Sequence, residues 1–98
     1  MSLPPAIVTS VDTQVDGSVN WVFDSSLDGV ASPWTNLDGF LVNGETTLAA
    51  TKVDAFTINM QYTTPITIGD PWVLNAALPT HVIFNPARVL QSSSGSTD

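Results

Sequence analysis

Two segments of this chain alternate apolar and polar residues one by one, and a period of two constrains the fold more than any other feature. In the first, Val19, Trp21 and Phe23 fall on one side, and Asn20, Val22 and Asp24 on the other. In the second, Phe56, Ile58, Met60 and Tyr62 form the apolar set, and Thr57, Asn59 and Gln61 the polar one. Successive strand residues point to opposite faces, so each segment reads as a strand with one dry and one wet face. No window long enough for a helix shows a 3.6-residue period.

Shorter candidates surround these two. Ala6 to Val11 follows the Pro4-Pro5 breaker, and Asp16-Gly17 separates it from the Val19 strand as a hairpin-type turn. Phe40-Leu41-Val42 is closed by Asn43-Gly44. Thr46 to Thr51 reads either as a strand or as a short helical turn. Ile66 to Ile68 and Trp72 to Leu74 flank Gly69-Asp70-Pro71; Thr80 to Phe84 and Ala87 to Leu90 flank Asn85-Pro86. Prolines 65, 71, 79 and 86 confine these strands to edges, ends or bulges. About seven short strands with turns between them predict an all-β immunoglobulin-like β-sandwich, with a small Greek-key barrel as the alternative. Residues 1–91 are expected to form the single sandwich domain. Residues 92–98, rich in Ser and Gly, are expected to form a flexible tail on composition alone.

A chain of 98 residues buries roughly 65% of its unfolded surface, enough for one thin core. Three Trp, four Phe and a 43% hydrophobic fraction argue against a disordered acidic chain. Nine carboxylates against two cationic side chains leave a formal net charge of −7. Lys52 and Arg88 are too few and too far apart in sequence to neutralise a phosphate backbone, so direct nucleic-acid binding is rejected. The same sign argument disfavours anionic membranes. With no cysteine, disulfides and thiolate metal sites are excluded. No apolar run approaches the ~20 residues of a membrane helix. Met1 to Pro5 shows neither a basic n-region nor an apolar h-region, so no export signal is read there.

The order of short motifs resembles the bacterial immunoglobulin-like repeats of surface and S-layer-type proteins. Val15-Asp16-Gly17-Ser18 precedes the strand ending Phe23-Asp24. Phe40-Leu41-Val42-Asn43-Gly44 follows a variable loop, and Pro65-Ile66-Thr67-Ile68-Gly69-Asp70 leads into Trp72. The resemblance covers about residues 7 to 75. It implies a sandwich used for display and adhesion, with no catalytic residues to carry over. Those repeats come in secreted tandem arrays, and this chain departs from that pattern by being single.

His81 is the only histidine. A Ser-His-Asp device needs one base, but no Gly-x-Ser-x-Gly element accompanies it, and His81 reads as an ordinary residue near a strand start. One histidine without cysteine also argues against a transition-metal site. Calcium is the one cofactor with candidate ligands, Asp24, Asp28 and Asp38, on loops relieved by Gly29 and Gly39. The EF-hand pattern is absent, with no glutamate at its closing position, and Asp, Ser and Gly make turns without an ion. Trp21 sits on the dry face of its strand. Trp34 and Leu37, in the long polar loop from Asp24 to Leu37, and Trp72, after Gly-Asp-Pro, are the candidate protein-contact residues. Aromatic anchors dominate binding hot spots, although packing into the core is the commoner fate of a large ring.

These readings converge on a non-catalytic structural or interaction module. Small size, acidity and the lack of a readable export signal fit a phage virion component, such as a capsid decoration or minor capsid protein. It is expected to contact capsid protein or further copies of itself, in a homo-oligomer or larger assembly. The alternative is a cell-surface adhesion or carbohydrate-binding immunoglobulin-like domain of a larger secreted protein.

Overall fold

The computed structural model describes residues 3–27, 38–76, 84–85 and 88–98. Among them are seven strands and no helix: β1 (Val8–Thr13), β2 (Val19–Phe23), β3 (Phe40–Val42), β4 (Ala49–Asp54), β5 (Thr57–Gln61), β6 (Pro71–Leu74) and β7 (Ser93–Ser96). One sheet has the order β1-β2-β5-β4 and the other β3-β6-β7. Every pairing within them is antiparallel. Strands one, two, five and four against three, six and seven is the strand order of a seven-stranded immunoglobulin sandwich. The Greek-key barrel is thereby set aside.

The inward residues of both sheets meet in one core. Trp21, Ile58, Met60, Leu74, Val11, Val19 and Val42 are its largest fully buried side chains. Trp21 stands edge-on to Phe40 (ring centroids 5.1 Å apart) and to Trp72 (5.4 Å). Phe23 makes the same kind of contact with Phe40 and Phe84. Edge-to-face rings place the positive rim of one on the negative face of the other, adding to the area they bury. Trp21 lies on β2 and Trp72 on β6. Antibody domains join these two strand positions with a disulfide; here a pair of indoles spans the gap.

Tyr62, just past β5, fastens the sheets from the side. Its hydroxyl donates to the Phe40 carbonyl at 2.8 Å, within the buried interior. Burial pushes that hydroxyl well above the ordinary tyrosine range, so it stays a neutral donor at any physiological pH. The Trp21 indole opposes part of this push, yet its N–H meets no acceptor in hydrogen-bond geometry. Tyr62→Phe should cost about 1–3 kcal/mol, because it strands a buried carbonyl. Urea denaturation followed by circular dichroism measures this, and a cost near zero would mean that water replaces the hydroxyl.

Several strand boundaries differ from the sequence expectation. The Phe56–Tyr62 segment enters its sheet only at Thr57, and Phe56 sits in the preceding turn, 45% exposed. The cause is local: the Asp54 carboxylate accepts the Phe56 N–H at 2.8 Å, so the turn closes around Phe56 before the strand begins. A register shift between Lys52 and Asp54 sharpens the same corner. Thr46 to Thr51 resolves as strand, starting at Ala49 and running to Asp54. Ile66 to Ile68 is not a strand. The Asp70 N–H donates to the Thr67 carbonyl, making a tight turn over 67–70. Phe84 bridges Leu27, and Leu90 bridges Ala6; the rest of the two predicted strands around Asn85-Pro86 lies largely outside the described residues.

The expected tail is the clearest correction. Ser93–Ser96 is a strand of the smaller sheet, paired residue by residue with β6 from Pro71↔Ser96 to Leu74↔Ser93. Ladder hydrogen bonds need only backbone groups, so weak side-chain propensity does not forbid them. Gly95 lies opposite Trp72, and a Cβ there would stand 3.0 Å from the indole. The bare backbone lets the ring lie across it, which replaces the contact a side chain would have made.

Candidate functional site

A sandwich offers a partner its faces, its end loops and its strand edges. The edges differ in how far the chain itself has already used them. Just before β1, the Ala6 N–H donates to Val89 and the Gln91 N–H donates to Ala6. Further along, the Thr13 N–H donates to the Asp98 carbonyl at 2.7 Å, and the Asp98 N–H donates to Val11. The segment after β7 thus stitches the open side of β1. At β3, Val42 and Glu45 exchange backbone hydrogen bonds across Asn43-Gly44, and the Phe40 carbonyl accepts from Tyr62.

β4 is six residues long and outermost in its sheet. Leu48 and Val53 are more than half exposed at its two ends, with Phe56 at the adjoining corner. The strand also carries Lys52 and the register shift beside it. A lysine and a bulge are the usual devices that keep an edge from pairing indiscriminately. They blunt the end of β4 near Asp54, whereas Ala49 to Thr51 has no such device.

The outer face of the four-stranded sheet is a polar lattice. Asn59 faces Asn20 in register and donates from Nδ2 to Asn20 Oδ1 and to Ser18 Oγ, both at 2.8 Å. The Ser18 hydroxyl donates onward to Asp16, and Ser10 donates to Asp12 at 3.0 Å. A shallow depression over this lattice is bounded by Val15 and Val53, with Gln14, Ser18, Asn20 and Asn59 among its floor residues. Asp16 is held below the ordinary carboxylate range, first by the Ser18 hydroxyl and then by the Ser18 N–H. A carboxylate so stabilised is a weak base, suited to anchoring a turn.

The candidate calcium ligands separate in the same way. Asp24 accepts the Ile7 N–H at 2.9 Å and the Ser25 hydroxyl at 2.8 Å. The Ile7 hydrogen bond is the main cause of its lowered pKa, with the Arg88 guanidinium adding to it. Its oxygens therefore serve to tie the chain before β1 to the end of β2. Asp38 is exposed in the turn before β3, and Asp28 lies outside the described residues. Among the described residues no three His, Cys, Asp or Glu side chains gather as a metal-binding group.

Of the candidate contact residues, Trp34 and Leu37 also lie outside the described residues, as does His81. Trp72 is half-buried and packed against the core, edge-on to Trp21 and across Gly95. That is the inward one of the two orientations open to it in sequence. The exposed apolar residues of the β4 edge were not among the sequence candidates. Val53 carried no signal separating it from a core valine. Phe56 carried one, the Asp54-x-Phe56 spacing of a side-chain-to-backbone turn.

Asp24, Asp54 and Asp70 share with Asp16 a pKa lowered from the ordinary value of 3.8 by hydrogen bonds they accept. Groups lowered by folding contribute stability that is present above the unfolded pKa and lost as pH falls through the folded one. The thermal midpoint should therefore be level near neutrality and fall as pH drops through the ordinary value of 3.8. Asp70→Asn should flatten part of this acid limb. A midpoint that rises on acidification would show that relief of the net negative charge outweighs these anchors.

Comparison with known proteins yields no match to a family model, to a curated protein or to a solved structure.

Proposed function

We propose that this chain is a non-catalytic structural module that acts by burying surface against other protein subunits, and that its setting is a phage particle, as a capsid decoration or minor capsid protein. The observation that carries the first half is the β4 edge. It is an outermost strand of its sheet, with Val53 exposed on it and Leu48 and Phe56 exposed just beyond its two ends. Exposed apolar side chains beside an outermost strand are what a neighbouring subunit covers when it packs against a sheet edge. A charged fraction of only 11% supports the same reading, since the buried centre of an interface is depleted in charge. The acidity and small size support the virion setting. There the partner is capsid protein or a further copy of the chain, and the fold's part is a rigid frame holding the edge in shape.

The test is association with particles. Particles of the phage or prophage that encodes the chain are purified by density gradient and probed for the chain by quantitative mass spectrometry. The chain should be present in a fixed ratio to the major capsid protein. Particles re-assembled with the doubly substituted chain, Val53→Lys and Phe56→Lys, should lose it. Absence of the native chain from particles would overturn the virion setting and favour the cell-surface alternative. Retention of the doubly substituted chain would move the contact away from β4.

A further inference from the structure

The turn that ends β3 carries chemistry that interface formation does not use. Asn43 and Gly44 are its two central residues, both exposed and both at positive φ, 54° and 75°. This is the two-residue hairpin turn that Asn-Gly favours. It is closed by the Glu45 N–H donating to Val42 at 2.9 Å and by a longer bond in return. An added Cβ on Gly44 would meet nothing within 4 Å. Apart from its two chain neighbours, nothing crowds the Gly44 Cβ position beside the nitrogen that follows Asn43.

The Asn43 side chain is not idle. Its Nδ2 donates to Asp70 Oδ2 at 3.0 Å. The same Asp70 oxygen accepts the Thr67 N–H at 2.9 Å and the Thr67 hydroxyl. The turn over 67–70 in turn holds the segment after β7. The Gly69 N–H donates to the Thr97 carbonyl, the Thr97 N–H donates to Asp70, and the Thr97 hydroxyl donates to Thr67. One asparagine amide therefore stands at the head of a chain of contacts that ends where Asp98 is stitched to β1.

We propose that Asn43 is a self-modification site, at which the side-chain amide is exchanged for a carboxylate that then opposes Asp70 and loosens the turn over 67–70. The Gly44 nitrogen gives its proton to solvent base and attacks Asn43 Cγ. The new N–Cγ bond closes a cyclic imide while the Cγ–Nδ2 bond breaks, and the leaving nitrogen takes up a proton and departs as ammonia. Water then adds to either imide carbonyl and reopens the ring. The product is an aspartyl or an isoaspartyl residue at position 43. Nothing is oxidised or reduced, and water is the only co-reactant. Before the exchange a donor faces Asp70. In the aspartyl product a carboxylate takes its place, and like charges at that distance repel; in the isoaspartyl product the chain runs through Cγ, so the donor to Asp70 is lost and a new carboxylate stands on the turn beside it. Glu45, next along the turn, adds to the negative field, and the chain's net charge of −7 supplies no general relief.

The test follows the intact chain at mildly alkaline pH and 37 °C by peptide mapping, reading amide-to-acid conversion at each asparagine. Position 43 should convert about tenfold faster than Asn20, Asn36, Asn59, Asn75 or Asn85, none of which precedes a glycine. Conversion at 43 no faster than at the others would overturn the proposal. Hydrogen exchange tests the second half. The amides of Thr67, Gly69 and Thr97 should exchange faster in the converted chain and in Asn43→Asp than in Asn43→Gly, which keeps the turn without adding charge. Equal exchange in Asn43→Asp and Asn43→Gly would show that charge opposition at Asp70 plays no part, and would overturn that half.

Discussion

Trp21→Ala should leave a large share of the chain unfolded, the most severe outcome expected of a single core truncation here. Trp21 is fully buried and reaches from its own sheet to the opposite one, where it meets Phe40 on β3 and Trp72 on β6. Deleting a buried indole costs about 3–5 kcal/mol once the cavity is counted. A domain of this length has on the order of 5–15 kcal/mol in total. No disulfide stands behind the indole pair to hold β2 against β6, because the chain has no cysteine. Trp21→Phe separates two causes. The indole N–H is buried without a hydrogen-bond partner among the described residues, so phenylalanine removes a group that is desolvated without compensation. It should therefore cost well under half of the alanine penalty. Urea unfolding followed by far-ultraviolet circular dichroism gives both numbers. Equal losses for the two variants would mean that the N–H is satisfied by water after all.

Gly39→Ala is expected to be the second most damaging change, for the opposite reason. A Cβ at Gly39 would fall on the backbone carbonyl oxygen of Asn75. A backbone oxygen cannot swing aside as a side chain can, so β3 and β6 must part where the Asn75 N–H donates to Gly39 at 2.9 Å. Overpacking of this kind costs about 1–3 kcal/mol, more where the backbone must move. Gly44→Ala makes a useful contrast. It has open space around the added methyl, so its penalty is confined to the left-handed backbone, about 1–2 kcal/mol. Denaturant midpoints should rank Gly39→Ala as the less stable of the pair. A neutral Gly39→Ala would contradict the close approach of β3 to β6, and with it the register Phe40↔Leu74.

The β4 edge and the Asn43 turn sit on opposite sides of legibility. Asn43-Gly44 announces a turn from two letters, because both positions need positive φ and these residues adopt it at least cost. The exposure of Val53 is invisible at that level, and that of Phe56 shows only in its spacing from Asp54. Both belong to residue types that favour strands and cores, and only the bulge between Lys52 and Asp54 and the turn closed by Asp54 carry them outward. Asp70 likewise reads as one turn residue among several. Its role as a hub for Asn43 and Thr67 depends on a contact spanning 27 positions.

What the sequence determined by itself is the two-faced character of the central strands. Val19, Trp21 and Phe23, and then Phe56, Ile58, Met60 and Tyr62, read as sharing a dry side, because neighbouring strand residues point oppositely and only one set is apolar; Phe56 alone leaves that set, carried outward by the turn before β5. The other six are buried, and an all-β sandwich follows from them. Tertiary structure decided what pattern cannot encode. Ser93–Ser96 became a strand because β6 presented backbone groups to it and Trp72 covered its glycine. Trp72 turned inward because Trp21 stood across the core to receive it. Backbone pairing is indifferent to side-chain type, and burial depends on which neighbours arrive. Both are settled only when distant segments meet.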